Sequence, residues 1–173
     1  MFIRRGPQLR FFGKIGGLNM QHFHRRQGLI LALPAQSLYV IGRGPGLAMA
    51  GEAALKMKEM CGIHAEAYSA AELLHGSVAL AGENFPALVL ASGGADASPV
   101  EPAAKLAGEG VPVFLAGGEA QGAVRLPVVQ TGHPLTDHIA VIASFYVCAE
   151  ALARRRGFDP DRPPRLKKVT RTV

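Results

Sequence analysis

The sequence has no tryptophan, and aromatic residues make up only 6% of it. Any core must therefore be assembled from Ala, Leu and Val rather than from large rings. There are two cysteines, Cys61 and Cys148, too few for a disulfide framework and not at metal-ligand spacing. Both fall in apolar helical patterns, where a free thiol is a packing residue. That usage fits a reducing compartment, and a cytoplasmic location is expected. No apolar run reaches the ~18–20 residues that span a bilayer, so no membrane partner is expected. The run "GLILAL" (28–33) is too short for the centre of a secretory signal, and it follows "HFHRRQ".

Acidic residues are missing from one region only. Residues 1–36 hold Arg4, Arg5, Arg10, Lys14, Arg25 and Arg26 and no Asp or Glu. The remaining basic and acidic residues balance, so the net charge of +6 comes from this basic leader. A neutral folded part gives no electrostatic footprint for nucleic acid. The leader is expected to be a non-native start or an unstructured tail, because Gly and Pro interrupt any amphipathic helix in it. Signature motifs are missing too. There is no G-x-G-x-x-G and no Gly-Lys-Ser/Thr loop. Ser77, Ser92 and Ser144 lack a nucleophile elbow. His64, His133 and His138 are scattered with no second pair to complete a site. No cofactor and no metal are expected.

What is present is an alternation of strands and helices over 37–157, followed by a tail at 158–173. "SLYVIG" (37–42), "HAEAY" (64–68), "PALVLAS" (86–92), "VPVFLAG" (111–117) and "VRLPVVQ" (124–130) read as strands. Helical patterns run from Leu47 to about Cys61, from a Ser69 cap to His75, from Ser98-Pro99 onward, and from Asp137 to about Arg156. Continuous apolar strands between helices signal a mostly parallel sheet covered on both faces, an α/β layered fold. Such folds bind ligands beyond the carboxyl ends of their strands.

The first helix carries the densest chemistry. Glu52, Lys56 and Glu59 share one face, at spacings of four and three. One reading is a surface ladder of ion pairs. The other rests on position: the helix follows a strand and a glycine turn, so its N-terminal end faces the crevice, where a carboxylate beside an amine can act as a general base. The turn "GRGPG" (42–46) offers Gly42, Arg43 and Gly44 for close approach of a ligand, or is simply a tight connection. His75 precedes Gly76 and reads either as a helix-end residue or as a catalyst. Lys167 and Lys168, in "RLKKVT", are either a solvated basic end or amines that a docked tail brings to a carbonyl.

Together, "VIGRGPGLAMAGEAALKMKEMCGIHAEAYSAAELLHGSVAL" and "GFDPDRPPRLKKVT" resemble the sugar isomerase (SIS) family. The likeness is to the second SIS domain of isomerising aminotransferases and of SIS-type aminosugar-phosphate deaminases. It implies a three-layer sandwich with a central, mostly parallel sheet. It also implies aminosugar-phosphate chemistry on hexose 6-phosphates, with either catalysis or silent sugar-phosphate binding as the outcome. By the same resemblance, Glu59 shuttles a proton between C1 and C2 of the open-chain sugar, and Lys56 stabilises the enediol-like intermediate. His75 assists ring opening in a neighbouring subunit, which implies a homodimer. Lys168 contacts the open-chain carbonyl carbon. The residues themselves, apart from the resemblance, add Lys167 and the 42–44 turn as binding residues. The departures are specific. The S-x-S-G-x-T phosphate loop is absent, and "ASGGADAS" (91–98) lacks its Thr. Ser77 stands where Pro usually follows His-Gly. The chain is therefore expected to be a truncated or frame-shifted half of a two-SIS enzyme, needing a separate phosphate-binding SIS domain.

Overall fold

The computed structural model describes residues 34–73, 75–92 and 97–163, with the paired two-residue strands Lys14–Ile15 and Leu18–Asn19. Most of the expected leader lies outside the described residues, and so do Lys167 and Lys168.

Five strands form the main sheet: β1 (Ser37–Gly42), β2 (His64–Ser69), β3 (Ala87–Leu90), β4 (Val113–Ala116) and β5 (Val124–Leu126). Their order is β2-β1-β3-β4-β5, and every pairing is parallel. The main helices are α1 (Pro45–Cys61), α2 (Ala70–Leu73), α3 (Val100–Gly108) and α4 (Pro134–Arg155). Side chains alternate along β1. Leu38 and Val40 join the core shared with α1 and α4, while Tyr39 and Ile41 join the core shared with α2 and α3. Both faces are covered, which is why the strand reads as an unbroken apolar run. This is the three-layer α/β sandwich. Strand order reverses between β1 and β3, so their carboxyl ends meet at a topological switch point, where folds of this kind have their ligand crevice.

Local chemistry sets the helix that matters most. Pro45 opens α1, where its missing N–H costs nothing. Gly62 ends it in the left-handed region, at φ 63°, and Ile63 N–H reaches back to the Met57 carbonyl at 3.1 Å. Ala50, Ala53, Ala54, Met57 and Cys61 form its buried stripe. Small alanines let its backbone lie close to the sheet.

Several boundaries differ from the sequence expectation. Helix α4 starts at Pro134, not near Asp137, because Pro134 fits the first helical turn and the His133 ring caps it, Nδ1 accepting the Leu135 N–H at 3.3 Å. Asp137 instead reaches back and accepts the N–H and the hydroxyl of Thr131. Those bonds, the backbone N–H first, hold the Asp137 carboxyl below its ordinary value. Helix α3 starts at Val100 with Pro99 in the cap position and no side-chain cap. The last strand stops at Leu126, because Pro127 has no N–H to extend an edge ladder. Among the described residues only α4 has the length and hydropathy of a membrane span. Its stripe of Val141, Phe145, Cys148, Ala149 and Leu152 is buried in the core shared with α1 and the sheet.

Candidate active site on the C-terminal half of α1

Lys56 stands between two carboxylates on one helix face. Its Nζ donates to Glu59 Oε2 at 2.8 Å and lies 3.7 Å from Glu52 Oε1. Glu52 Oε1 in turn accepts the Tyr146 hydroxyl of α4 at 2.7 Å. The Lys56 and Glu59 side chains retain 27% and 23% of their exposure, so a solute can reach both. The hydrogen bond to Glu59 is the main cause that raises the Lys56 pKa above its ordinary 10.5; burial opposes it and Glu52 adds to it. The pair contributes fully below pH 10.5 and is lost only as pH rises through the higher folded value. Lys56 is therefore an ammonium at neutral pH. Burial, then the bond to Glu52, pushes the Tyr146 phenol up to about 12, so it remains a donor. A carboxylate held beside a fixed ammonium can take a proton α to a carbonyl while the cation stabilises the developing oxyanion.

The expectation that this acid faces the crevice is corrected. Helix α1 runs back along the sheet from the crevice. Fourteen residues separate Pro45 from Glu59, about 21 Å at 1.5 Å per residue. Gly42, Arg43 and Gly44 stand at the carboxyl ends of the strands, and Lys56 and Glu59 stand at the other end. The two groups of predicted residues are not brought together. Gly42 is buried, and a β-carbon there would overlap the Gly46 carbonyl. Arg43 and Gly44 are exposed in the turn.

Two polar groups with no role assigned from the sequence lie near the carboxyl ends of the strands. His138 Nε2 and Ser92 Oγ are buried without a hydrogen-bond partner. The other ring nitrogen of His138, Nδ1, lies 2.6 Å from the Pro134 carbonyl. Its Nε2 sits 3.6 Å from the position of a β-carbon on Gly46. A lone histidine carries no sequence signal, and only the helix start at Pro134 turns it inward.

His75 is exposed in the turn after α2, with its N–H on the Glu72 carbonyl at 3.0 Å. It follows the carboxyl end of β2, whereas Glu59 lies near the amino end of that six-residue strand, about 20 Å away. Within one chain His75 and Glu59 do not meet. The chain after α4 behaves differently. Arg156 Nε donates to the Cys61 carbonyl at 2.8 Å, and the Phe158 ring lies 2.7 Å from where a Gly62 β-carbon would stand. The tail therefore leaves α4 beside the end of α1 that carries Glu59.

The cavity between α4 and the sheet is lined by Met57, Leu88, Leu90, Phe145 and Cys148, and the Ser144 hydroxyl beside it is bonded to the Ala140 carbonyl at 2.8 Å. Burial pushes both cysteine thiols up to about 12, so they are inert packing. No group of three His, Cys, Asp or Glu converges on a metal position among the described residues.

Residues 33–116 match the family model described as the SIS domain. The chain is 38% identical over 150 residues to a glutamine–fructose-6-phosphate aminotransferase (isomerizing) of Aeropyrum pernix, covering 83% of this chain and 24% of that protein. The chain thus spans about a quarter of that relative's length. A candidate phosphosugar isomerase of Silicibacter pomeroyi superposes with a TM-score of 0.68 and 45% identity, over 79% of this chain and 42% of the other. The C-terminal domain of a glucosamine-fructose-6-phosphate aminotransferase from Francisella tularensis gives 0.72 at 22% identity, over 83% and 43%, which shows a shared fold.

Proposed function

Because the chain carries a SIS domain over residues 33–116, we propose that it serves aminosugar-phosphate chemistry on an open-chain hexose 6-phosphate. The reaction class is isomerisation coupled to amination or deamination. The observation that carries this reading is the part-buried contact of Lys56 with Glu59 at 2.8 Å. The Glu59 carboxylate removes a proton α to the sugar carbonyl. The bonding pair moves toward the carbonyl oxygen, and the Lys56 ammonium stabilises the charge that develops there. Glu59 then delivers that proton to the former carbonyl carbon, while the hydroxyl proton on the carbon first deprotonated passes to the oxyanion, so that the carbonyl re-forms on that carbon. Lys168 is the amine that meets the carbonyl carbon, with Lys167 beside it. The path of the tail past Cys61 and Gly62 supports that placement.

A second copy supplies His75. Its position at the opposite end of the sheet from Glu59 supports this, because one chain cannot join them. Gly42, Arg43 and Gly44 are too far from Glu59 to hold the same sugar carbonyl, so as binding residues they serve the crevice. A separate SIS domain with an S-x-S-G-x-T loop supplies the phosphate contacts, because no such loop occurs in the sequence. The buried free thiols accord with a cytoplasmic setting.

The missing loop also favours a second reading, a sugar-phosphate-binding module without turnover. Calorimetry with fructose 6-phosphate and glucosamine 6-phosphate, beside an activity assay of the full chain, separates the two. Turnover that rises when a phosphate-binding SIS domain is added supports the enzyme. Binding with no turnover under any combination supports the module. Absence of both overturns both readings.

A further inference from the structure

Two carboxylates compete for one ammonium on α1, and the structure shows an unequal outcome. Lys56 Nζ is 2.8 Å from Glu59 and 3.7 Å from Glu52, although both partners are within helical reach. Intrinsic spacing does not explain this, since positions three and four away both face Lys56. The asymmetry has a source outside the helix. Tyr146, 94 residues further along the chain, donates its hydroxyl to the same Glu52 oxygen at 2.7 Å. A phenol donor satisfies that oxygen without bringing a charge. It also fixes the Glu52 side chain from α4, whose neighbouring Phe145 and Val147 are buried in the core.

We infer that Tyr146 is a positioning residue that holds Glu52 away from Lys56 and so commits the ammonium to Glu59. The hydrogen bond of the Tyr146 hydroxyl goes to Glu52, and its effect on Lys56 and Glu59 passes through Glu52. Without the hydroxyl, Glu52 loses its donor and takes the nearest one, the Lys56 ammonium. Glu59 then loses the contact that orients it. The phenol stays protonated over the working range, so the assignment does not switch near neutral pH.

The consequence for turnover rests on the reaction proposed above, but the rearrangement itself does not. The test is Tyr146→Phe in the full chain, which removes one oxygen and keeps the ring. A crystal structure should show Lys56 Nζ within ~3.2 Å of Glu52 and beyond ~3.5 Å from Glu59. With glucosamine 6-phosphate in whatever assembly turns over, kcat should fall about tenfold while KM stays within about twofold, the pattern of a lost transition-state contact. The double variant Tyr146→Phe/Glu52→Gln removes the competitor and should restore both the Lys56–Glu59 contact and most of kcat. A purely structural role for Tyr146 predicts no such rescue. A Lys56–Glu59 distance unchanged in Tyr146→Phe overturns the inference, and so does a double variant that stays rearranged. A rearranged network in a chain that never turns over sugar leaves the inference standing and removes the proposed reaction instead.

Discussion

The two ends of α1 are built from the same helix but solve different problems. At the crevice end the fit is close at Gly42 and Gly46, while Arg43, Gly44 and Pro45 are exposed. Gly42 sits where no side chain can, and the polar atoms of His138 and Ser92 are sealed in. At the other end the helix carries Glu52, Lys56 and Glu59, part-exposed and tied to α4 through Tyr146. One end is packing, and the other is charge held in place by packing. The difference teaches that the general rule for parallel sheets, ligand at the carboxyl ends, does not locate the Lys56–Glu59 pair here. About 21 Å of helix lies between the crevice and Glu59.

That contrast can be broken in order of expected effect. Gly42→Ala should be the most damaging, because the Gly46 carbonyl occupies the space of its β-carbon and backbone must move. A loss of about 3 kcal/mol or more in denaturant unfolding is expected. A variant as stable as the parent would show that the crevice end tolerates change and is not tightly fitted. Glu59→Gln should do the reverse. Turnover falls at least ~100-fold in a kinetic assay, while unfolding free energy changes by no more than ~0.5 kcal/mol. Equal activity in the variant would place the acid–base chemistry elsewhere.

Gly62→Ala tests how the tail is seated near the charged end. Its φ of 63° disfavours an L side chain, and a β-carbon would meet the Phe158 ring at 2.7 Å. About 1–2 kcal/mol of destabilisation is expected, together with faster proteolysis after residue 157. Proteolysis at the parent rate would mean that Phe158 does not anchor the tail. The smallest effect concerns acid. The Asp137 pKa is lowered from 3.8, so its bonds to Thr131 contribute above that value and are lost as pH falls through the lower folded one. Amide exchange of Thr131 should accelerate only below about pH 3.8, and Asp137→Asn should abolish that dependence. An unchanged profile in the variant would assign the acid sensitivity to another group.

Much of this was legible from residues alone. Continuous apolar strands such as "SLYVIG" announced two-sided burial, and the Glu52, Lys56, Glu59 spacing placed three charges on one face. Helix starts were harder, because Pro134 and Thr136-Asp137 offer competing signals and His133 settled the matter only by capping with its ring. Tyr146 was invisible, since a tyrosine 94 residues from its partner has no local pattern. The neglected His138 is the same case: an ordinary histidine until packing turns it toward α1.

The sequence by itself determined the layered α/β class, the helix that carries the acid and the amine, and their shared face, because these depend on periodicities of two and 3.6 residues. Only tertiary structure decided which carboxylate Lys56 binds, which end of the sheet Glu59 occupies, and that His75 stands apart from it. The first is set by Tyr146, 94 residues from Glu52 in the chain, and the others by how the helices run on the sheet rather than by any local propensity.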